Sequence, residues 1–202
     1  ALLIGLLNAA VVVLGLVAYA PKFLTSRRPF MAATFLTMAA LAWTFVEAPS
    51  VEVALEQALY RDTIVHAEQT LYQHLTVTRE DNDVRLFING NLQYSSFDEY
   101  RYHEALVHVP IARMGRPPRD VLILGGGDGL AARELLKYPQ VRGVTIIDLD
   151  PAMTKLHRTH PVLAELNAHS LHDPRVAVRN EDAMQFLVAS RGFWDLVVID
   201  LP

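Results

Sequence analysis

The run Val121-Leu122-Ile123-Leu124-Gly125-Gly126-Gly127-Asp128-Gly129 constrains this chain more than any other segment. Four apolar residues in a row read as a buried strand, the glycines end it, and residues 130–138 carry a helical pattern. A glycine loop between a strand and a helix is the local form of a nucleotide-type cofactor site, because glycine permits positive φ and lets the backbone approach a ligand closely. Asp128 is the unusual member. A carboxylate inside the loop repels a pyrophosphate and suits a cation, so an adenosyl sulfonium carrying an amine fits better than a dinucleotide. Asp128 is also placed to cap the helix after it.

From Arg119 onward the pattern alternates. Strands are expected at 121–124, 144–147, 176–178 and 196–199, and helices at about 129–138, 151–159 and 182–190. That order with short connections predicts an α/β fold: a parallel sheet with helices on both faces. The chain stops at Pro202, just after the fourth strand, so an incomplete sheet with an uncovered edge is expected. Ahead of it, residues 69–97 read as β structure, with a hairpin turn at Asn89-Gly90. Ser96 or Asp98 is placed to cap a helix running to about Arg113. The expected organisation is a transmembrane hairpin at 1–48, a connector helix at 49–68, a small β domain plus helix at 69–115, and a cofactor-binding domain at 116–202.

The hairpin rests on composition. Residues 1–20 and 30–46 carry no charged side chain, and a short basic loop containing Lys22, Arg27 and Arg28 separates them. Two such runs read as membrane-spanning helices in contact with lipid, which predicts a multi-pass protein of the cell membrane. A signal peptide plus a core helix, or two buried soluble helices, are the alternatives. The basic loop points to its own cytoplasmic placement, which conflicts with a single later crossing. A cytoplasmic catalytic domain is favoured on the chemistry below.

The net charge is −4, and residues 1–48 contribute +2, so residues 49–202 carry −6. With no basic run there, nucleic-acid binding is disfavoured. There is no Cys, which excludes disulfides and thiolate metal sites, and the eight His show no ligand spacing, so no metal is expected.

In an open α/β sheet, ligands bind outside the carboxyl ends of the strands. Asp128, Asp148, Asp150, Asp182 and Asp200 fall at or near those ends. Asp148 lies about 20 residues past the glycine loop, where a ribose hydroxyl partner is expected. Asp150 before Pro151 reads as a helix cap with proline at the first helical position, and Asp182 also reads as a cap. Asp200 closes an apolar strand and has little structural reason to be there.

Several motifs together resemble the spermidine synthase family, the polyamine aminopropyltransferases. They are Leu71-Tyr72-Gln73, Leu86-Phe87-Ile88-Asn89-Gly90 with Gln93, Asp98-Glu99-Tyr100-Arg101-Tyr102-His103-Glu104, the Gly125–Gly129 loop with Arg133-Glu134, Asp148-Leu149-Asp150, Asp173-Pro174-Arg175-Val176, and Asp195 to Asp200. The resemblance implies a Rossmann-like sheet of the S-adenosylmethionine-methyltransferase type, in a member with membrane segments that is truncated at its C-terminus. It implies cofactor contacts from Gln73, Gly125, Gly127, Asp128, Asp148, Asp182 and Ala183. Tyr102, His103 and Asp128 would meet the aminopropyl and polyamine chains, and Asp200 would be the catalytic carboxylate. Tyr102 as packing and His103 as a core histidine are the alternatives. The sequence departs from the family at Asp148, where Glu is usual, and at Leu130 and Ala183, where Gly is usual. The family's closing Asp-Ser-Ser-Asp-Pro is replaced after Asp200 by Leu201-Pro202.

The implied reaction moves an aminopropyl group from decarboxylated S-adenosylmethionine to putrescine or a related polyamine, giving spermidine and 5'-methylthioadenosine. A dimer or tetramer is implied, and the fragment alone is expected to be inactive or unstable. A methyltransferase reusing the fold and a non-catalytic polyamine-binding membrane sensor are the competing functions.

Overall fold

Residues 63–68, expected as the end of a connector helix, form a strand together with residue 69 instead. In the computed structural model, which describes residues 53–201 and, before them, only positions 13, 35, 36, 38 and 39, helix reaches only residue 57 of the expected 49–68 segment. The strand is β1 (Thr63–Gln69). Its Thr-Ile-Val start is β-branched, and its burial alternates between exposed and half-buried residues, as a sheet edge requires. Pairing with a deeply buried neighbour outweighs the weak helical spacing ahead of it.

That neighbour is β2 (His74–Glu80), followed by β3 (Asp83–Ile88) and β4 (Asn91–Ser95). The four make one antiparallel meander in chain order. The turn into β4 has positive φ at both Asn89 and Gly90, the geometry that Asn-Gly favours. Helix α1 (Glu99–Met114) follows. Asp98 stands at its cap position without a side-chain capping bond. Ser96 is not the cap either: its hydroxyl accepts from the Val84 amide and donates to Asp83.

Strand β5 (Asp120–Gly125) comes next, then α2 (Leu130–Leu136), β6 (Gly143–Asp148), α3 (Pro151–Thr159), α4 (Pro161–Leu166), β7 (Val176–Asn180), α5 (Ala183–Ala189) and β8 (Leu196–Asp200). All pairings of the second sheet are parallel, in the order β7-β6-β5-β8. The chain steps outward from β5 through β6 to β7, then returns so that β8 lies on the other side of β5. Both faces of β5 are covered, as a central parallel strand requires. Val121 and Ile123 pack with Val107 and Ile111 of α1 and Leu135 of α2. Leu122 and Leu124 pack with Ile147 and Phe186 on the opposite face. A third core joins the meander, through Leu75, Val77 and Leu86, to Leu130, Met153, Leu156 and Leu163. Burying each such side chain contributes roughly 1.5–3 kcal/mol. From Asp62 onward the chain is one compact unit, and residues 1–61 form another.

The hairpin expected over residues 1–48 lies outside the described residues, apart from five isolated positions. Among the described residues no helix is long and apolar enough to cross a membrane. The multi-pass membrane location is corrected on that finding, and a lipid partner is dropped with it. Hydropathy reports how apolar a stretch is, not whether lipid or protein covers it.

Candidate active site

The reversal of strand order at β5 opens a crevice outside the carboxyl ends of β5 and β8, where open α/β sheets bind ligands. A cavity of about 270 Å³ lies there. Its polar lining is Gln93, Tyr94, Tyr102, His103, Asp128, Asp148 and Asp200, with Gly126 and Gly127 on the loop; Leu86, Ile88, Met153 and Leu201 supply apolar surface.

The glycines are there because neighbours come too close for a side chain. A Cβ on Gly125, whose φ is +83°, would stand 1.9 Å from the carbonyl oxygen of Asp200. A Cβ on Gly127 would stand 2.4 Å from Oδ2 of Asp148. The Gly126 amide donates to the Asp200 carbonyl at 3.0 Å, so the loop is fastened to the end of β8. The Gly127 amide donates to Oδ2 of Asp148 at 2.9 Å, which fastens it to the end of β6.

Asp200 sits among these contacts. The Tyr102 hydroxyl donates to its Oδ1 at 3.1 Å, and its buried Oδ2 has no hydrogen-bond partner among the described residues. Burial, reinforced by the charge of Asp128, pushes its carboxyl up to about 6, against the opposing pull of His103 and Tyr102. Burial also raises Asp128, opposed by His103 and by the Leu130 amide, which donates to Oδ1 at 2.9 Å. Asp128 therefore closes a local turn ahead of α2, whose cap position is taken by Gly129 without a side-chain capping bond, and also faces the cavity. Burial and Asp200 hold the Tyr102 phenol up to about 12, so it stays a donor.

His103 is buried, and burial opposes its charge. Its Nδ1 lies 2.8 Å from Oε2 of Glu99. That contact, with the charges of Asp128 and Asp200, outweighs burial and raises its titration above the ordinary 6.5. One ring nitrogen of His103 and one oxygen each of Asp128 and Asp200 lie within 4.8 Å of one another. The acceptors in this set, beside the alkyl surface of Leu86, Ile88 and Met153, suit an alkylammonium group.

The cavity thus gathers Asp128, Asp148, Asp200, Tyr102, His103 and Gly127 of the residues singled out from sequence. Asp148 accepts from the amides of both Gly127 and Asp150, and burial raises its carboxyl. Five residues stand outside the cavity lining. Gly125 acts behind the loop. Gln73 occupies a turn whose Thr70 hydroxyl donates to Asp150 at 2.8 Å. Asp182 caps α5 through the Gln185 amide at 2.8 Å, and Ala183 packs beside Phe186. Asp150 is the expected cap of α3, accepting from the Ala152 amide.

Sequence reasoning did not single out Gln93, Tyr94 or Met153 as site residues. Gln93 stood among the family-like residues. Tyr94 fell within the β structure expected over 69–97 and Met153 within the helix expected at 151–159, and neither carries a local signal. The Tyr94 hydroxyl contacts Nε2 of His157 at 2.8 Å, and that histidine is 63 residues away in sequence.

Residues 99–202 match the family model for the spermine/spermidine synthase domain. Polyamine aminopropyltransferase 1 of Streptomyces coelicolor is 47% identical over the whole chain, which corresponds to 39% of that protein. Polyamine aminopropyltransferase 2 of Ralstonia nicotianae is 54% identical over 73% of the chain and 29% of its own length. The chain therefore spans well under half of these relatives. Among solved structures, a spermidine synthase in complex with the transition-state analogue AdoDATO aligns with a TM-score of 0.63 at 26% identity, covering 69% of this chain and 46% of that one. The spermidine synthase of Thermotoga maritima aligns with a TM-score of 0.62 at 27% identity, over 68% and 48% of the two chains.

Proposed function

This chain belongs to the spermine/spermidine synthase family, and from that premise we propose that it transfers an aminopropyl group from decarboxylated S-adenosylmethionine to putrescine or a related polyamine. The observation that carries the reading is the convergence of Asp128 and Asp200 on one cavity at the ends of β5 and β8. Two cationic reactants must meet there. At 4–6 Å and an effective dielectric near 20, their repulsion costs roughly 3–4 kcal/mol, and two carboxylates offset it. The tight Gly126–Gly127 backbone and the Asp148 carboxylate fit an adenosine ribose. Asp128 fits the donor's amine and would repel the carboxylate of ordinary S-adenosylmethionine, which favours aminopropyl over methyl transfer.

In the proposed step the acceptor amine attacks the CH₂ next to the sulfonium. An N–C bond forms, the C–S bond breaks with its electrons passing to sulfur, and methylthioadenosine leaves as a neutral thioether. An ammonium has no lone pair, so one proton must first leave the acceptor. Asp200, with a buried Oδ2 that has no partner among the described residues and a carboxyl raised to about 6, is suited to take it. Tyr102 would orient Asp200, and His103 would line the acceptor's path. Gln73, Gly125, Gly127, Asp182 and Ala183 complete the proposed cofactor set, with Asp182 and Ala183 toward the adenine. A homo-oligomer belongs to the same proposal, on the expectation that the β hairpins over residues 71–95 pair between subunits.

The test is incubation with decarboxylated S-adenosylmethionine and putrescine, followed by chromatography. Spermidine and methylthioadenosine in equal amounts are expected. Methyl transfer from S-adenosylmethionine without spermidine formation overturns the reading.

A further inference from the structure

Behind the cavity, Glu99 of α1 is 6% exposed and carries an unusual load of donors. Arg133 of α2 grips it with both terminal nitrogens, Nη1 to Oε1 at 2.8 Å and Nη2 to Oε2 at 3.1 Å. Arg133 is itself held: its Nε donates to Glu134 at 2.9 Å and its Nη1 to the Leu166 carbonyl at 2.9 Å. The remaining partner of Glu99 is Nδ1 of His103 at 2.8 Å. A buried ion pair is tolerable only when its lone pairs and protons are met, and this one is met from two helices and a carbonyl.

An ionised carboxylate only accepts, so Nδ1 of His103 must carry the proton. Nε2 is then the nitrogen whose proton can vary. The Tyr102 ring packs edge-on against the imidazole at 5.0 Å and limits its rotation.

We propose that Glu99, clamped by Arg133, fixes the tautomer and favours the cationic form of His103, and through His103 sets the proton affinity of Asp200. Glu99 and Arg133 are thereby positioning residues of the transfer site. The groups facing His103 are Glu99 and Tyr102 from its own helix, Asp128 from the loop after β5 and Asp200 from β8. Tyr94 from β4 lies within electrostatic reach of Glu99 and Asp128. Arg133 acts from behind Glu99. An imidazolium among these carboxylates lowers the proton affinity of Asp200, so Asp200 is ionised near neutral pH despite burial.

The idea rests on the aminopropyl-transfer reading only for its kinetic arm. In the full chain, ¹⁵N NMR of the His103 imidazole is expected to show the Nδ1–H tautomer when neutral and a midpoint above 6.5. Glu99→Gln should lower that midpoint, and the acidic limb of the transfer pH profile should rise by about half to one pH unit. In a His103→Gln background, adding Glu99→Gln should leave the limb where it is. A wild-type ring protonated on Nε2, or a wild-type midpoint below 6.5, overturns the proposal without any variant having to fold. A limb shift that persists without His103 also overturns it. If wild-type protein gives no spermidine while the NMR result holds, the transfer reading fails and the Glu99–His103 relationship stands.

Discussion

The hydroxyl of Tyr102 donates to Oδ1 of Asp200 at 3.1 Å, tying α1 to the last residue of β8 across 98 positions of sequence. The bond uses one oxygen of the carboxylate and leaves the buried Oδ2 without a hydrogen-bond partner among the described residues. Because it favours the ionised form, Tyr102→Phe should move the acidic limb of the kcat/KM profile to higher pH, with a rate loss of about tenfold. A pH–rate series on the two proteins checks this. An unmoved limb would separate the phenol from Asp200.

Asp200→Asn should reduce turnover by about 10²–10⁴ while raising thermal stability at neutral pH. The sign follows from the raised carboxyl. Its folded value of about 6 exceeds the ordinary 3.8, so stability is fullest below 3.8 and is lost as pH rises through about 6. The neutral amide removes that loss. Calorimetry at pH 4 and pH 7 should find the variant's advantage only at the higher pH.

His157 titrates in the opposite sense. Burial lowers it from 6.5 to about 4. Its stabilising contribution is present above 6.5 and is lost as pH falls toward 4, on the order of 3 kcal/mol in all. Urea denaturation across that range should show the slope, and His157→Gln should flatten it. Tyr94→Phe, which removes the hydroxyl that meets Nε2, should cost about 1–3 kcal/mol.

Gly125→Ala should destabilise the chain by more than 4 kcal/mol. The added Cβ would overlap backbone of Asp200 at 1.9 Å, and no rotamer change relieves a backbone clash. Loss of a cooperative thermal transition is the expected result. A variant melting within a few degrees of wild type contradicts the close approach of β5 and β8.

Asp148→Asn should weaken cofactor binding about 10- to 100-fold. Its two oxygens hold the Gly127 and Asp150 amides, and an amide side chain offers only one acceptor. Calorimetric titration with methylthioadenosine reads the change. Equal affinity in the two proteins would remove Asp148 from the adenosine site.

How much was legible depended on how local each signal was. The strand, glycine loop and helix around residues 121–136 were readable because burial and backbone conformation there follow from neighbouring residues. The Asp150 cap before Pro151 was readable for the same reason. Strand β1 was not, because its residues are half-exposed and only pairing with β2 makes them a strand. Asp98 does occupy the cap position of α1 but makes no side-chain capping bond, and Ser96 does not cap because Asp83 and Val84, more than ten residues upstream, hold its hydroxyl.

The sequence by itself determined the α/β class, the glycine loop between strand and helix, and the carboxylates at the strand ends, since each is written in a run of adjacent residues. Tertiary structure alone decided the order β7-β6-β5-β8, which brings Asp200 beside Gly126 and Asp128. It alone joined Tyr102 to Asp200 and Arg133 to Glu99. The physical reason is common to these cases. A carboxylate's proton affinity is set by burial and by charges a few ångströms away, and here those charges come from residues far apart along the chain.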